Sequence, residues 1–192
     1  MMLWRDEAAF SITGTLSSRV YHKPGSEHLD PKYTSKIMKH PASLMVWGCF
    51  IHYGADDLVI FPANVKMNQH NYLELLIDVL FDSFGKTQAK LFMQDSAPAH
   101  VAKSVKQWLT DCEVPFISDW PSNCLNSNSI KNLWVSMKRQ LRGMDTSSLA
   151  KLETSVEQLW ASFSQNYLQN LASSIPKYIQ DIVKMKEDAT RY

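Results

Sequence analysis

Leu91, Phe92 and Met93 run apolar into Gln94, Asp95, Ser96, Ala97 and Pro98, which reads as a short buried strand, a carboxylate and a turn. At the carboxyl ends of strands in an open sheet the backbones diverge and leave a crevice, so reactive groups gather there. Alone the pattern is weak, because an aspartate after a strand is more often a turn former or a helix cap. A second chemically useful set is basic: Lys131, Lys138, Arg139 and Arg142 share a helical stretch, with Lys103 and Lys106 on another. No Asp or Glu occurs between Asp119 and Asp145, so the later stretch has no acid of its own. Such a stripe suits a phosphate backbone, although a solvated face is the commoner role and no aromatic stacking groups interleave with these charges. The six histidines form no pair at metal-ligand spacing, which argues against zinc.

The elements that would position these groups follow from periodicity. Met2 to Phe10 and Ser43 to His52 read as strands, the second with a nearly continuous apolar run, the mark of a strand buried on both faces. Gly54 to Asp57 reads as a turn and Leu58 to Phe61 as the returning strand of a hairpin. The polar stretch from Arg19 to Pro41 reads as a loop or peripheral hairpin. Asn68 can cap a helix to about Phe84. Lys90 to Gln94 and Val114 to Ile117 are further strands, separated by a helix whose inner face is Val101, Val105, Trp108, Leu109 and Cys112. Ile130, Leu133, Trp134, Met137 and Leu141 mark a helix packed on one side. Leu149, Leu152, Val156, Leu159 and Phe163 mark another, whose two heptads suit intramolecular packing better than a coiled-coil dimer. A last helix from Tyr167 to Lys186 breaks near Pro176. An antiparallel start followed by strand-helix-strand units predicts a mixed sheet flanked by helices, with extra C-terminal helices.

The totals agree. The 192 residues, 45% of them hydrophobic, suit one globular domain over 1–192. With a formal net charge of +1, any attraction to nucleic acid must come from local patches. Three cysteines without a CxxC pair, Cys49, Cys112 and Cys124, read as reduced thiols. Arg5, Asp6 and Glu7 interrupt the N-terminal segment, so it is no secretory signal, and no apolar run is long enough to span a membrane. The expected address is nucleus or cytoplasm.

Several of these segments together resemble Tc1/mariner transposases. Gln94 to His100 resembles the family's Gln-Asp-Asn-Ala-Pro-x-His block, and Asp119, Trp120 and Pro121 resemble the Asp-Trp-Pro that follows. Leu3, Trp4, Arg5, Asp6 and Glu7 look like its first catalytic strand, and Val46, Trp47, Gly48, Cys49 and Phe50 match a Val-Trp-Gly-Cys-Phe strand. Ile130, Asn132, Leu133 and Trp134 resemble a helix opening Ile-Glu-Asn-Leu-Trp. The tail, from Ser174, Ile175 and Pro176 to Thr190, Arg191 and Tyr192, is similar to the final helix.

The resemblance implies an RNase H-like fold in which two Asp and one Glu hold two divalent cations, Mg²⁺ or Mn²⁺, for DNA strand cleavage and joining. Asp6 and Asp95 fall on the first two catalytic and metal-binding positions. The third is occupied by Lys131, and the absence of acids from 120 to 144 leaves no substitute one helical turn away. Between Asp95 and Lys131 lie 35 residues, one more than usual, which reads as an insertion before Asp119. Cys124, Leu125, Asn126, Ser127 and Ser129 stand where the family has Ser-Pro-Asp-Leu-Asn-Pro. An ammonium against a dication at roughly 5 Å costs on the order of 6 kcal/mol at an effective dielectric of about 20, so metal binding should be impaired. His100 matches the family's histidine and reads as a hydrogen-bonded structural residue. Glu7, on the strand face opposite Asp6, is a poor substitute ligand.

The resulting expectation is a remnant transposase catalytic domain, inactive for lack of the third carboxylate. The alternatives are a non-enzymatic domesticated module that binds DNA or protein, and, weakest, an active nuclease using Glu7. The chain starts at the first catalytic strand, so the family's helix-turn-helix modules are expected to be absent and DNA binding weak and non-specific.

Overall fold

The computed structural model describes residues 2–12, 41–63, 65–117 and 128–174, together with 181 and 184. Strand β1 (Met2–Ser11) pairs antiparallel with β2 (Ser43–Ile51), which pairs antiparallel with β3 (Gly54–Ile60). On its other side β1 pairs parallel with β4 (Leu91–Phe92), giving the order β3-β2-β1-β4. The helices are α1 (Gln69–Leu75), a π-helical segment over Leu76–Leu80, α2 (Phe81–Thr87), α3 (Lys103–Asp111), α4 (Ser129–Leu141), α5 (Leu149–Ser162) and α6 (Gln165–Ser173). This is the mixed, helix-flanked sheet expected, with α5 and α6 as the additional C-terminal helices.

Side-chain alternation along β1 divides the core in two. Met2, Trp4, Ala8 and Phe10 join α4, α5 and α6 on one face, through Ile130, Leu133, Trp134, Val156, Trp160 and Leu168. Leu3 joins Trp47, Cys49, Tyr72, Leu76, Val105 and Leu109 on the other, beneath α1 to α3. The apolar stripe of α5 is therefore spent inside the domain, with Trp160 stacked on Trp134 at 5.3 Å.

Three boundaries differ from expectation. The hairpin turns at His52 and Tyr53, while Gly54 and Ala55 already pair with Ile51 and Phe50. A register shift between Gly48 and Phe50 accommodates Asp56 and Asp57 inside β3. Both are anchored: Trp160 Nε1 donates to the Asp56 carbonyl at 3.0 Å, and Ser83 donates to the Asp57 carboxylate. Val114 to Ile117 forms only a bridge at Phe116, because Pro115 has no N–H to continue a ladder. Asn68 caps α1 as expected, accepting from His70 N and Asn71 N at 2.8 and 3.0 Å, but helix continues past Phe84 to Thr87. The readings placed on 13–40, on Asp119 to Ser127 and on the tail from Ile175, including the Pro176 break, lie outside the described residues. Cys49 and Cys112 are free thiols, and among the described residues no helix is long and apolar enough to cross a membrane.

Gly48 is required by space. A Cβ there would lie 2.8 Å from the Cη2 atoms of both Trp134 and Trp160, buried rings that cannot swing aside. Gly48→Ala is expected to cost about 1–3 kcal/mol, measured by urea unfolding. A loss below about 0.5 kcal/mol would mean that the indoles do not pack over β2 as described.

Candidate active site beside β1 and β4

Asp6 lies in β1, and Asp95 follows shortly after the neighbouring parallel strand β4. The 89-residue offset that pairs Met2 with Leu91 and Leu3 with Phe92 also separates Asp6 from Asp95. Backbone pairing continues to Met93, whose N–H donates to the Leu3 carbonyl at 3.1 Å, and then β4 gives way to the turn at Asp95. Asp6 itself lies within β1, not at its end. β1 runs on to Ser11, paired with β2, and Asp6 lies opposite Gly48. The site is thus a notch where β1 loses its β4 neighbour while keeping β2.

On the first face of the sheet, α4 is docked beside this notch by its cap. Asn128 Nδ2 donates to the Arg5 carbonyl at 3.1 Å while Asn128 Oδ1 accepts from Ile130 N. That tie brings the half-buried Lys131, in the first turn of α4, into electrostatic reach of Asp6. No ion pair within 4.0 Å joins Lys131 to Asp6 or Asp95 among the described residues, so the ammonium acts through the intervening space.

The two carboxylates differ in state. Asp6 is 7% exposed, and burial together with the like charge of Glu7 raises its pKa to about 6, against the pull of Arg5 and Lys131. Asp95 is held well below the ordinary carboxylate range, first by its hydrogen bond from His100 and then, against partial desolvation, by the charge of Arg5. His100 Nδ1 lies 2.5 Å from Asp95 Oδ1, which also accepts from Ala97 N at 3.1 Å.

Behind Asp95, on the second face, lies a buried polar network that the sequence reading left largely unread. Arg5, 1% exposed, donates from Nη1 to Glu7 Oε1 at 2.7 Å and approaches His100 Nε2 at 3.2 Å. Its guanidinium lies 4.7 Å from the centre of the Tyr72 ring. The Tyr72 hydroxyl donates to Gln94 Oε1 at 3.0 Å, and Gln94 Nε2 donates to the His100 carbonyl at 3.2 Å. Desolvation works against both charges, yet Arg5 keeps Glu7 below the usual carboxylate range. Glu7 is therefore committed to Arg5 on the face away from Asp6. The available sequence signal was a charge at Arg5 in the middle of a buried strand; the role of Tyr72 had none.

The basic residues do not form one patch. Lys103 and Lys106 lie on α3, which packs on the second face, whereas Lys138, Arg139 and Arg142 lie on α4 on the first.

The mixed four-stranded sheet with flanking helices is an RNase H-like fold. The fold overlays that of the Mos1 transposase catalytic domain with a TM-score of 0.70 at 13% identity, covering 96% of this chain and 81% of that one. The Mos1 mariner paired end complex with Mn gives a TM-score of 0.77 at 15% identity, and this chain spans 55% of that longer one. The Tcb2 transposase of Caenorhabditis briggsae is 28% identical over 193 residues, which cover 99% of this chain and 70% of the relative. The family described as DDE superfamily endonuclease matches residues 1–153. The chain belongs to that family, among the Tc1/mariner-type transposases.

A divalent cation prefers hard oxygen donors, and Asp6 and Asp95 are the two carboxylates that the strand register sets beside the notch. One Asp95 oxygen pairs with His100 and accepts from Ala97, and the buried Asp6 keeps its raised pKa. Among the described residues no group of three or more His, Cys, Asp or Glu is placed to hold a metal ion.

Proposed function

We propose that this is a transposase-derived domain that retains the DNA-handling scaffold of its family and has lost strand cleavage and joining. The observation that carries the reading is Lys131, the residue that the motif comparison aligns with the third carboxylate, held by the α4 cap within electrostatic reach of Asp6. An ammonium there supplies positive charge but no coordination site, and it repels the cations on which a two-metal mechanism depends. Asp6 and Asp95 are the surviving members of the family's metal-binding set, with Mg²⁺ or Mn²⁺ as the cofactor whose binding is impaired. DNA is the proposed partner, bound weakly and without sequence preference, in the nucleus or cytoplasm. The acid-free α4 favours a domesticated DNA-binding module over a protein-binding one as the second reading.

Thermal unfolding with and without divalent metal tests this. The parent should show no Tm gain from Mg²⁺ or Mn²⁺. Lys131→Ala should lose about 0.5–2 kcal/mol, since it removes a counter-charge from the buried Asp6. Lys131→Glu should be weaker still in EDTA and recover by several degrees with either metal. A parent stabilised by Mg²⁺, beside a Lys131→Glu variant that gains nothing, would put residue 131 outside the site.

A further inference from the structure

The outer face of α4 forms one ladder. At 100° per residue, Lys131, Val135, Lys138 and Arg142 fall within an arc of about 60°, roughly opposite the buried Leu133, Met137 and Ile130. Val135, in the middle of it, is 66% exposed. Lys138 and Arg142 are exposed as well, and the Lys138 ammonium lies 5.4 Å from the centre of the Phe10 ring, which holds it on this face. None of Lys131, Lys138 and Arg142 makes an ion pair with an acid among the described residues.

The ladder has a direction. Asn128 ties the start of α4 to Arg5, while Trp134 meets Phe10 edge-on at 5.9 Å, so α4 follows β1 from the Asp6 notch toward Ser11. From residue 131 to 142 the helix rises about 16 Å, the length of roughly five phosphates along one strand of a duplex.

We infer that the Lys131–Lys138–Arg142 ladder is a phosphate track that seats a DNA strand at the Asp6 notch without divalent metal, with Lys131 as its innermost contact. The inference rests on the reading of Lys131 as occupant of the third-carboxylate position and assigns that residue a ligand. In the metal-dependent arrangement of the family, cations neutralise the strand at the carboxylates. Here a side chain carries that charge, and the next two cations continue it outward. The exposed Val135 offers apolar surface to the sugar edge between them.

The test is fluorescence anisotropy of the full chain with a labelled duplex bearing a single-stranded overhang, over a series of salt concentrations, in EDTA and in dilute Mn²⁺. The parent should bind within twofold of the same Kd in both. Lys131→Gln, Lys138→Gln and Arg142→Gln should each weaken binding several-fold in EDTA and reduce the slope of log K against log salt by about 0.7–0.9. Lys90→Gln, at the amino end of β4 away from the site, should change neither. Lys131→Glu should bind more weakly than Lys131→Gln in EDTA and recover with Mn²⁺. Parental affinity and slope in Lys131→Gln would overturn the track, as would parent binding that appears only with Mn²⁺. If Lys131→Gln does not fold, unchanged slopes in both Lys138→Gln and Arg142→Gln overturn it equally. Denaturing gels of the same samples keep the two readings apart: nicked DNA in the parent defeats the loss of cleavage and leaves the track standing.

Discussion

Arg5→Leu is expected to cost about 3–5 kcal/mol of stability, the range for breaking a buried ion pair by removing one partner. Arg5 is 1% exposed and the Glu7 side chain 13%, so water cannot take over as the counter-charge. The substitution leaves Glu7 beside Asp6 and Asp95 with His100 Nε2, at 3.3 Å, in place of the fixed guanidinium charge, and removes that guanidinium from the face of Tyr72. Most of the penalty belongs to the stranded carboxylate, not to the net value of the pair. Arg5→Leu combined with Glu7→Gln should therefore recover more than half of the loss, a coupling that a double-mutant cycle in urea measures directly. A single variant within about 1 kcal/mol of the parent would show that Glu7 is hydrated.

Asp6→Asn should move stability in a pH-dependent way. The carboxyl of Asp6 has its folded pKa raised from 3.8 to about 6, so the folded state binds the proton more tightly than the unfolded chain does. Its contribution is fully present below about pH 4 and is lost as pH rises through 6. At 1.36 kcal/mol per pKa unit, the parent gives up about 2–3 kcal/mol across that window, a loss that the uncharged amide of the Asp6→Asn variant cannot suffer. The stability of Asp6→Asn relative to the parent should accordingly improve by about that amount between pH 4 and pH 7. Asp95 and Glu7, whose pKa values are lowered, act in the opposite sense, from about pH 4.5 downward, and equally in parent and variant. A variant-to-parent difference independent of pH would mean that Asp6 is ionised throughout.

The parts of this site legible in the sequence were those carried by local words. The apolar run 44–51, the Asn68 cap and the α4 stripe each follow from periodicity or capping within a few residues, and all appear in the fold. The hairpin was misplaced because its turn, His52–Tyr53, holds none of the usual turn residues, while Gly54 just after it drew the reading. The apolar run of β1 stops before Asp6, although the strand does not. Pairing of residues 7–11 with β2 extends the strand regardless of polarity. The Arg5–His100 contact joins residues 95 apart, and the Asn128–Arg5 tie joins residues 123 apart. Neither spacing leaves a mark in the sequence, so the cap that sets Lys131 against Asp6 had to come from the fold. For the same reason Lys103 and Lys106 were grouped with the α4 cations, although the sheet stands between them.

Two carboxylates and a lysine are expected not to cleave DNA. The direct measurement is single-turnover cleavage and strand transfer on a pre-nicked duplex, over a titration of Mg²⁺ and Mn²⁺, with the parent and Lys131→Glu side by side. The parent should give no product at any metal concentration, with Lys131→Glu the only one of the two able to regain any. Metal-dependent product from the parent, abolished by Asp6→Asn or Asp95→Asn, would contradict the account and show that the site works without a third carboxylate at position 131.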